Sequence, residues 1–181
     1  MKTVYVRNLP HIVPPGEKFF VTFRLHDSLS DKLIHEILEK RNDSIRKLLN
    51  EKLPNYKALI IEEKKLAIVY IDKLLDDSNT PNCFLKEEAI AEVVKNKLLQ
   101  YDNQLYKMIA FTIMPNHVHM LIDTNIQLEN IETHYVQLEK IMKYIKGGSA
   151  FEANQILNRK GQFWHHESYD HIVRNEKELS N

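Results

Sequence analysis

The sequence predicts an α+β domain in which an antiparallel sheet carries helices on one face. Three observations support this class: a strand-like stretch with a period of two near the N-terminus, two apolar runs that meet at a Pro-Asn break, and helical patterns between and after them. The order of strand, helices, two strands, helix and final strand is typical of an α+β sandwich.

The size and composition of the chain suit a single compact domain. It has 181 residues, of which 43% are hydrophobic, enough for a substantial core. No apolar run is long enough to cross a bilayer, and the N-terminus lacks a signal-peptide core, so we expect no membrane partner. Cys83 is the single cysteine, which excludes an internal disulfide and favours a cytoplasmic location.

The charge balance narrows the classes of function. The 25 basic and 25 acidic residues give a formal net charge of zero, which argues against coating of duplex DNA by bulk electrostatics. A local basic groove is still compatible with this balance. The four glycines form no phosphate-cradling loop of familiar spacing, so nucleotide hydrolysis is not expected.

The first strand is expected over residues 19–25, where apolar and polar side chains alternate. Thr22 and Arg24 share its polar face. The preceding stretch, residues 7–16, contains three prolines and is expected to be irregular.

Helical patterns fill the next part of the chain. Ser30 is a good N-cap for a first helix, and Pro54 separates that helix from a second one at about residues 60–75. A loop at 76–82 precedes a third helix at about 86–100. We expect one domain over residues 1–181 with a helical insertion around 41–100.

Two strands follow at 105–113 and 117–122, so close together that they should form an antiparallel hairpin. Because residues two apart on a strand point to the same face, His117 and His119 should project side by side. Two neutral imidazoles make half of a metal site. For a bare His-x-His pair, two polar residues on a solvent face are the favoured interpretation, and the position after a tight turn in an apolar hairpin raises the metal-site interpretation. A third ligand must come from elsewhere. The opposite, packed face carries the apolar Val118, Met120 and Ile122.

The C-terminal part predicts a helix over about 131–157, weakened by Gly147 and Gly148, and then a short extended piece at 169–173. Asn175, followed three residues later by Glu178, forms a capping box that announces another helix. The sequence ends at Asn181, too soon for a stable helix, so we expect this helix to be cut by the end of the chain.

Residues 114–122, with the sequence MPNHVHMLI, resemble the HUH motif (His, hydrophobic residue, His) of single-tyrosine transposases. More narrowly, they are similar to the motif of the REP-associated tyrosine transposases. The similarity covers nearly the whole chain. Further similar segments are 9–11, 14–16, 20–25, 163–164, 169–170 and 174–176.

The resemblance implies a ferredoxin-like sheet with the motif on a central strand. It also implies a metal-dependent endonuclease and strand transferase acting on single-stranded or hairpin DNA. His117 and His119 would bind a divalent metal, Mg²⁺ or Mn²⁺, that polarises the scissile phosphate. A tyrosine hydroxyl would attack, leaving a 5′-phosphotyrosine and a free 3′-OH.

This sequence differs from the family at the position of the nucleophile. The family places the tyrosine on the helix after the Arg-Asn-Glu stretch, so here we expect it beyond Asn181. Tyr169 and Tyr144 are substitute candidates, although both are also expected to serve packing. The alternatives are a catalytically inactive DNA-binding derivative of the same fold, and a metallohydrolase that uses further histidines.

A basic track is the predicted DNA contact. Lys140, Lys143 and Lys146 recur every three residues, and with Arg159 and Lys160 they could line a path for phosphates. A solvated helix face is the competing interpretation.

Other candidates depend on the register of the sheet. Arg24 would join the DNA-binding residues if its strand face also bears the histidine pair. His165, His166 and His171 are candidates for a third metal ligand, and Phe163 and Trp164 are expected core residues that could alternatively stack on bases. The oligomeric state, monomer or dimer, stays open.

Overall fold

The computed structural model describes residues 4–6, 10–12, 14–51, 53–77, 82–130 and 135–173. The chain divides into two compact units, one formed by Met1–His26 with Cys83–Asn181 and the other by Asp27–Asn82. Within the described ranges, no helix is both long and apolar enough to cross a membrane. In chain order the elements are β1 (Val4–Val6), β2 (Pro10–Ile12), β3 (Lys18–Leu25), α1 (Asp31–Glu51), α2 (Tyr56–Asp77), α3 (Glu88–Gln100), β4 (Lys107–Ile113), β5 (His117–Asp123), α4 (Leu138–Ile156) and β6 (Trp164–Ile172).

The first unit is organised around a four-stranded antiparallel sheet with the strand order β4-β5-β3-β6. The elements of this unit that form the sheet and its helical layer follow the order β3, α3, β4, β5, α4 and β6. This order of strand, helix, two strands, helix and strand is the ferredoxin-like arrangement. The predicted α+β class is therefore confirmed. The strand that carries the two histidines, β5, lies between β4 and β3.

The two faces of the sheet differ because side chains alternate along each strand. One face of β3 and β5 is apolar and fully buried, and α3 and α4 contribute to the same hydrophobic cluster. The expectation that helices cover one face is thus confirmed for this unit. The cluster includes Phe19, Val21, Phe23, Val118, Met120 and Ile122 from the strands, and Ile90, Val94, Leu98, Leu138, Ile141 and Ile145 from the helices.

The expected hairpin is present and tightly closed. The Met114 amide donates a hydrogen bond to the carbonyl oxygen of His117 at 2.9 Å, so the Pro-Asn break forms a turn. Ile113 then pairs with Val118, and the pairing continues along β4 and β5 with a register shift between Met108 and Ala110. The next residue after this short turn is already the first histidine of the motif.

Three expected elements differ from the structure. β1 and β2 pair antiparallel where an irregular lead-in was expected, because a two-stranded ribbon tolerates Pro10 at the first position of β2. α4 begins at Leu138 and runs through both glycines. β6 begins at Trp164, five residues earlier than expected, since it pairs along β3. The capping box at 175–178 lies outside the described residues.

The second unit is a helical hairpin made of α1 and α2. The Leu33 amide donates to Ser30 Oγ at 3.2 Å, which confirms Ser30 as the N-cap of α1. Pro54 lies in the turn before α2. The buried residues follow helical spacing and are Ile34, Ile37 and Leu38 on α1 and Ala67, Ile71 and Leu75 on α2.

Ser149 connects α4 to β6 in the first unit. Its Oγ donates to the Ile145 carbonyl at 2.7 Å and accepts a hydrogen bond from Trp164 Nε1 at 2.9 Å. Both side chains are buried, so the indole has no access to water. The hydrogen bond therefore fixes the start of β6 against the helix.

Ser149→Ala should lower the free energy of unfolding by about 1–3 kcal/mol, because it leaves the buried indole N–H without its acceptor. The measurement is urea denaturation followed by circular dichroism. In a Trp164→Phe background the same substitution should cost clearly less, since no donor remains. An equal cost in both backgrounds would contradict this role for Ser149.

Candidate functional site

The histidine pair and the polar face of β3 meet on one side of the sheet. Arg24 lies opposite His117, and Thr22 lies opposite His119. The register that the sequence left open therefore places Thr22 and Arg24 on the face of the pair. His117, Thr22 and Arg24 are all fully buried.

The two imidazole rings converge on one point. His117 Nε2 and His119 Nε2 lie 2.9 Å apart, and the ring planes are inclined at 83°. The Nδ1 atoms are held from behind: His117 Nδ1 lies 2.7 Å from Asn116 Oδ1, and His119 Nδ1 lies 2.9 Å from Thr22 Oγ1. Oxygen partners at Nδ1 and a shared direction at Nε2 are the arrangement in which histidines bind metals.

The electrostatic environment keeps His117 neutral. Burial, and to a smaller extent the neighbouring charge of His119, lowers the pKa of His117 to about 4. Since metal ligation requires a neutral imidazole, this shift leaves a lone pair available well below neutral pH.

Aromatic side chains continue the same face away from the pair. The Phe20 ring lies 5.4 Å from the His119 ring and 5.2 Å from the His171 ring. Tyr169 lies opposite Thr22 on β6 and is buried. It therefore shares the face of the pair at two strand spacings, or about 10 Å. Tyr144 lies on α4 and stacks on Tyr101 at 5.8 Å.

The pair presents two Nε2 atoms, fewer than a complete set of metal ligands. No group of three or more His, Cys, Asp or Glu residues in the described ranges is arranged to hold a metal ion. His165 and His166 lie on β6 with their rings 4.3 Å apart, and His166 Nε2 is 3.4 Å from Glu167 Oε1. The structure thus does not bring these histidines into one cluster with the pair.

The sequence comparison decides the family. Residues 82–179, which are 98 of the 181 residues, match the family described as "Transposase IS200 like". The chain belongs to the IS200-like transposase family. The matched region contains β5 with both histidines, together with α3, β4, α4 and β6. The helical hairpin of the second unit lies almost entirely before it.

One solved structure similar to this IS200-like chain is that of a REP-associated tyrosine transposase bound to a REP hairpin. Its sequence identity to this chain is 10% and the TM-score is 0.45. The alignment covers 97% of this chain, which spans 65% of the length of that structure. No curated protein matches the chain in sequence.

The basic candidates have different surroundings. Lys140 and Lys143 are exposed on α4, and Lys160 is exposed after it. Lys146 Nζ donates to the His166 carbonyl at 3.0 Å and to Ser168 Oγ at 3.2 Å, so it contacts the outer edge of β6. Arg159 donates to the Gln162 carbonyl at 3.1 Å, with its guanidinium 4.9 Å from the Phe84 ring centre.

Two residues that orient the pair were missed from the sequence. The sequence places Thr22 on a polar face but does not reveal its partner, since the pairing of distant strands is not visible in one sequence. Asn116 is predicted only as a turn residue, although its position directly before His117 is a signal for a contact. Phe163 and Trp164 are 2% and 4% exposed, which confirms them as core residues.

Thr22→Val should weaken binding of Mn²⁺ about 10- to 100-fold, because the isosteric change removes the oxygen that orients His119. Isothermal titration with Mn²⁺ measures this. The matched control is Thr124→Val, which removes another buried threonine hydroxyl, one that donates to the Glu17 carbonyl at 2.9 Å. Equal affinities of the two variants would contradict an orienting role for Thr22.

The low pKa of His117 predicts acid sensitivity of the metal-free protein. The unfolded chain binds a proton at His117 below about pH 6.5, whereas the folded chain does so only near pH 4, so stability falls as the pH drops through this window. Between pH 7.5 and pH 5 the loss attributable to His117 should be roughly 1–2 kcal/mol.

His117→Gln should remove this part of the slope. Urea denaturation in EDTA at several pH values measures it, with His35→Gln, an exposed histidine on α1, as the matched control. A slope in His117→Gln as steep as in the control would show that His117 is not the source.

Proposed function

We propose that this IS200-like protein is a metal-dependent endonuclease and strand transferase acting on single-stranded or hairpin DNA. The observation that carries the proposal is the convergence of the two Nε2 atoms of His117 and His119 at 2.9 Å. Membership of a transposase family supports DNA as the substrate. The pair would mark the position of the scissile phosphate.

The chemistry of the ligands fits a divalent ion. The Nδ1 atom of each histidine faces an oxygen, so both Nε2 atoms are directed to the same place. Of Mg²⁺ and Mn²⁺, two nitrogen ligands favour Mn²⁺, because Mg²⁺ prefers oxygen. When bound, the ion polarises the phosphodiester and stabilises the charge that develops during attack.

Arg24 adds a permanent positive charge beside the pair. It lies opposite His117 in the strand pairing and is fully buried. A buried guanidinium acts on a nearby phosphate more strongly than an exposed one, since water screens it less. We therefore assign Arg24 to supplying positive potential at the pair from beneath the surface, without direct contact with the phosphate.

The nucleophile is a tyrosine hydroxyl. Its attack on phosphorus forms the phosphotyrosine bond and releases the 3′-oxygen, which takes up a proton. Among the described tyrosines on the sheet, Tyr169 shares the face of the pair. The family resemblance places the nucleophile on a helix after the Arg-Asn-Glu stretch, outside the described residues, so Tyr169 is the substitute candidate.

A second candidate is a DNA-binding derivative of the same fold that does not cleave. Burial of Tyr169 at 4% exposure favours it, because a nucleophile must reach the substrate. Such a protein would still bind a phosphate with the help of a metal but would not form the covalent bond to DNA.

Binding in the presence of Mn²⁺ tests the site whichever candidate is right. Mn²⁺ should raise the affinity for a labelled single-stranded oligonucleotide several-fold, and His117→Ala and His119→Ala should each abolish this increase while leaving binding in EDTA unchanged. Fluorescence anisotropy measures both conditions. An increase that persists in both variants would place the metal elsewhere.

Cleavage and covalent adducts then separate the candidates. A Mn²⁺-dependent adduct on a denaturing gel supports the transferase, and its loss in Tyr169→Phe assigns the nucleophile. Tight binding without strand breakage supports the non-cleaving derivative. Strand breakage by water with no adduct would instead favour a metallohydrolase.

A further inference from the structure

We propose that one exposed face of α4 binds single-stranded DNA, with an unpaired base stacked on an aromatic ring. This site rests on the proposed function and is separate from the histidine pair, because α4 packs on the opposite face of the sheet. The face is called the α4 strip here and consists of Lys140, Lys143, Gly147 and Phe151.

Three residues of the α4 strip, Lys140, Lys143 and Gly147, line a cleft between the helix and β6, and Phe151 lies outside its lining. The cleft has a volume of about 490 Å³. Lys146 contacts the β6 backbone, and Glu167 is buried, whereas Lys140 and Lys143 are exposed. The exposed charges at the cleft are therefore the two lysines, while Glu139 and Asp170 in its lining are half-buried. The charged residues that line the cleft are Lys140, Lys143, Lys146, Glu139, Glu167 and Asp170.

Gly147 has no packing role within the described structure. A Cβ atom built at Gly147 would meet nothing within 4 Å, whereas one at Gly148 would lie 3.2 Å from the Lys97 side chain. Glycine is unfavourable in the interior of a helix, so its presence at an open position needs another reason. The bare backbone at Gly147 lets a ligand approach the helix closely.

Phe151 lies one turn beyond Gly147 on the same side of α4. It is 66% exposed, the highest value among the large hydrophobic residues of the described chain. Residues 140, 143, 147 and 151 have the spacing of one helical face and extend over about 16 Å at 1.5 Å per residue. A largely exposed aromatic ring therefore shares a helical face with two exposed lysines.

This combination matches single-stranded nucleic acid. Proteins that bind single strands combine positive groups along the backbone with aromatic rings on which bases stack. In a duplex the bases are already stacked on one another, so an exposed ring gains little there. A protein partner would use Phe151 as an apolar contact but would not require both lysines and the open glycine.

The test measures binding of the whole chain to a fluorescent oligothymidylate of 20 nucleotides, in EDTA, by anisotropy. Phe151→Ala should weaken binding about 5- to 150-fold, the range for loss of one stacked base. Ile156→Ala is the matched control, since Ile156 is 51% exposed on the other side of the same helix. This control should bind as the wild type does.

Three further variants separate stacking from other contacts. Phe151→Leu should bind as weakly as Phe151→Ala, because an aliphatic side chain cannot stack. Phe151→Trp should bind well, and the fluorescence of the new indole should fall when DNA is added. The wild type, whose single tryptophan Trp164 is buried, should show no such decrease. Lys143→Ala should lower the slope of log affinity against log salt by about one.

Gly147→Ala gives a test that misfolding cannot imitate. The added methyl group enters open space, so the melting temperature should rise while DNA affinity falls. Unchanged affinity in Phe151→Ala, Lys143→Ala and Gly147→Ala would overturn the α4 strip. Retained tight binding by Phe151→Leu would point to an apolar partner instead.

The outcome is independent of the site at the histidine pair. If the α4 variants bind normally and Mn²⁺ still strengthens binding through His119, the α4 strip is wrong and the proposed function stands. If wild-type protein binds no single-stranded DNA in EDTA or in Mn²⁺, both the strip and the proposed substrate fail.

Discussion

The pairing of β3 with β5 is the constraint on which the rest of the site depends. Because side chains alternate along a strand, a slip of one residue would turn Thr22 and Arg24 toward the hydrophobic core. It would also expose the apolar residues that α3 and α4 cover. The core therefore enforces the register, and the register places a hydroxyl behind His119 and a guanidinium beside His117.

Buried polar groups on this face are held by hydrogen bonds rather than by burial alone. Thr22, His117 and Asn116 are 0–2% exposed, and burial of such groups is unfavourable unless their hydrogen bonds are satisfied. Their contacts form one chain from β3 through both imidazoles to the turn after β4. A site assembled this way is pre-organised, since neither ring needs to reorient to direct its Nε2 atom.

The sequence predicted the elements that local patterns determine. The alternation in β3, the Ser30 cap and the hairpin around Pro115 depend on neighbouring residues, and each was found. The relation between Thr22 and His119 depends on pairing across almost 100 residues of chain, so no local pattern contains it. The start of α4 at Leu138 was missed because apolar spacing alone does not mark where a helix begins.

For the candidate site, too, the sequence predicted which residues share a face but not the contacts that they make. The His-Val-His spacing placed both imidazoles on one face, but only the structure shows the distance between their Nε2 atoms. The even spacing of Lys140, Lys143 and Lys146 did not reveal that Lys146 reaches the β6 edge. Side-chain reach and the neighbouring strand decide this difference, and neither is encoded in spacing along one helix.

The 2.9 Å contact between the imidazoles implies that a hydrogen atom already lies where a cation would lie. His117 donates through Nδ1 to the Asn116 oxygen, so its Nε2 has a lone pair and the hydrogen must belong to His119. Then His119 Nδ1 accepts from the Thr22 hydroxyl. A cation at that position would require the other tautomer of His119, with the proton on Nδ1. The Thr22 hydroxyl can follow this change by turning from donor to acceptor, whereas a carboxylate could only accept. The position is therefore closed by a proton that must leave Nε2 while another proton binds Nδ1, so a cation at the pair would release no net proton from His119.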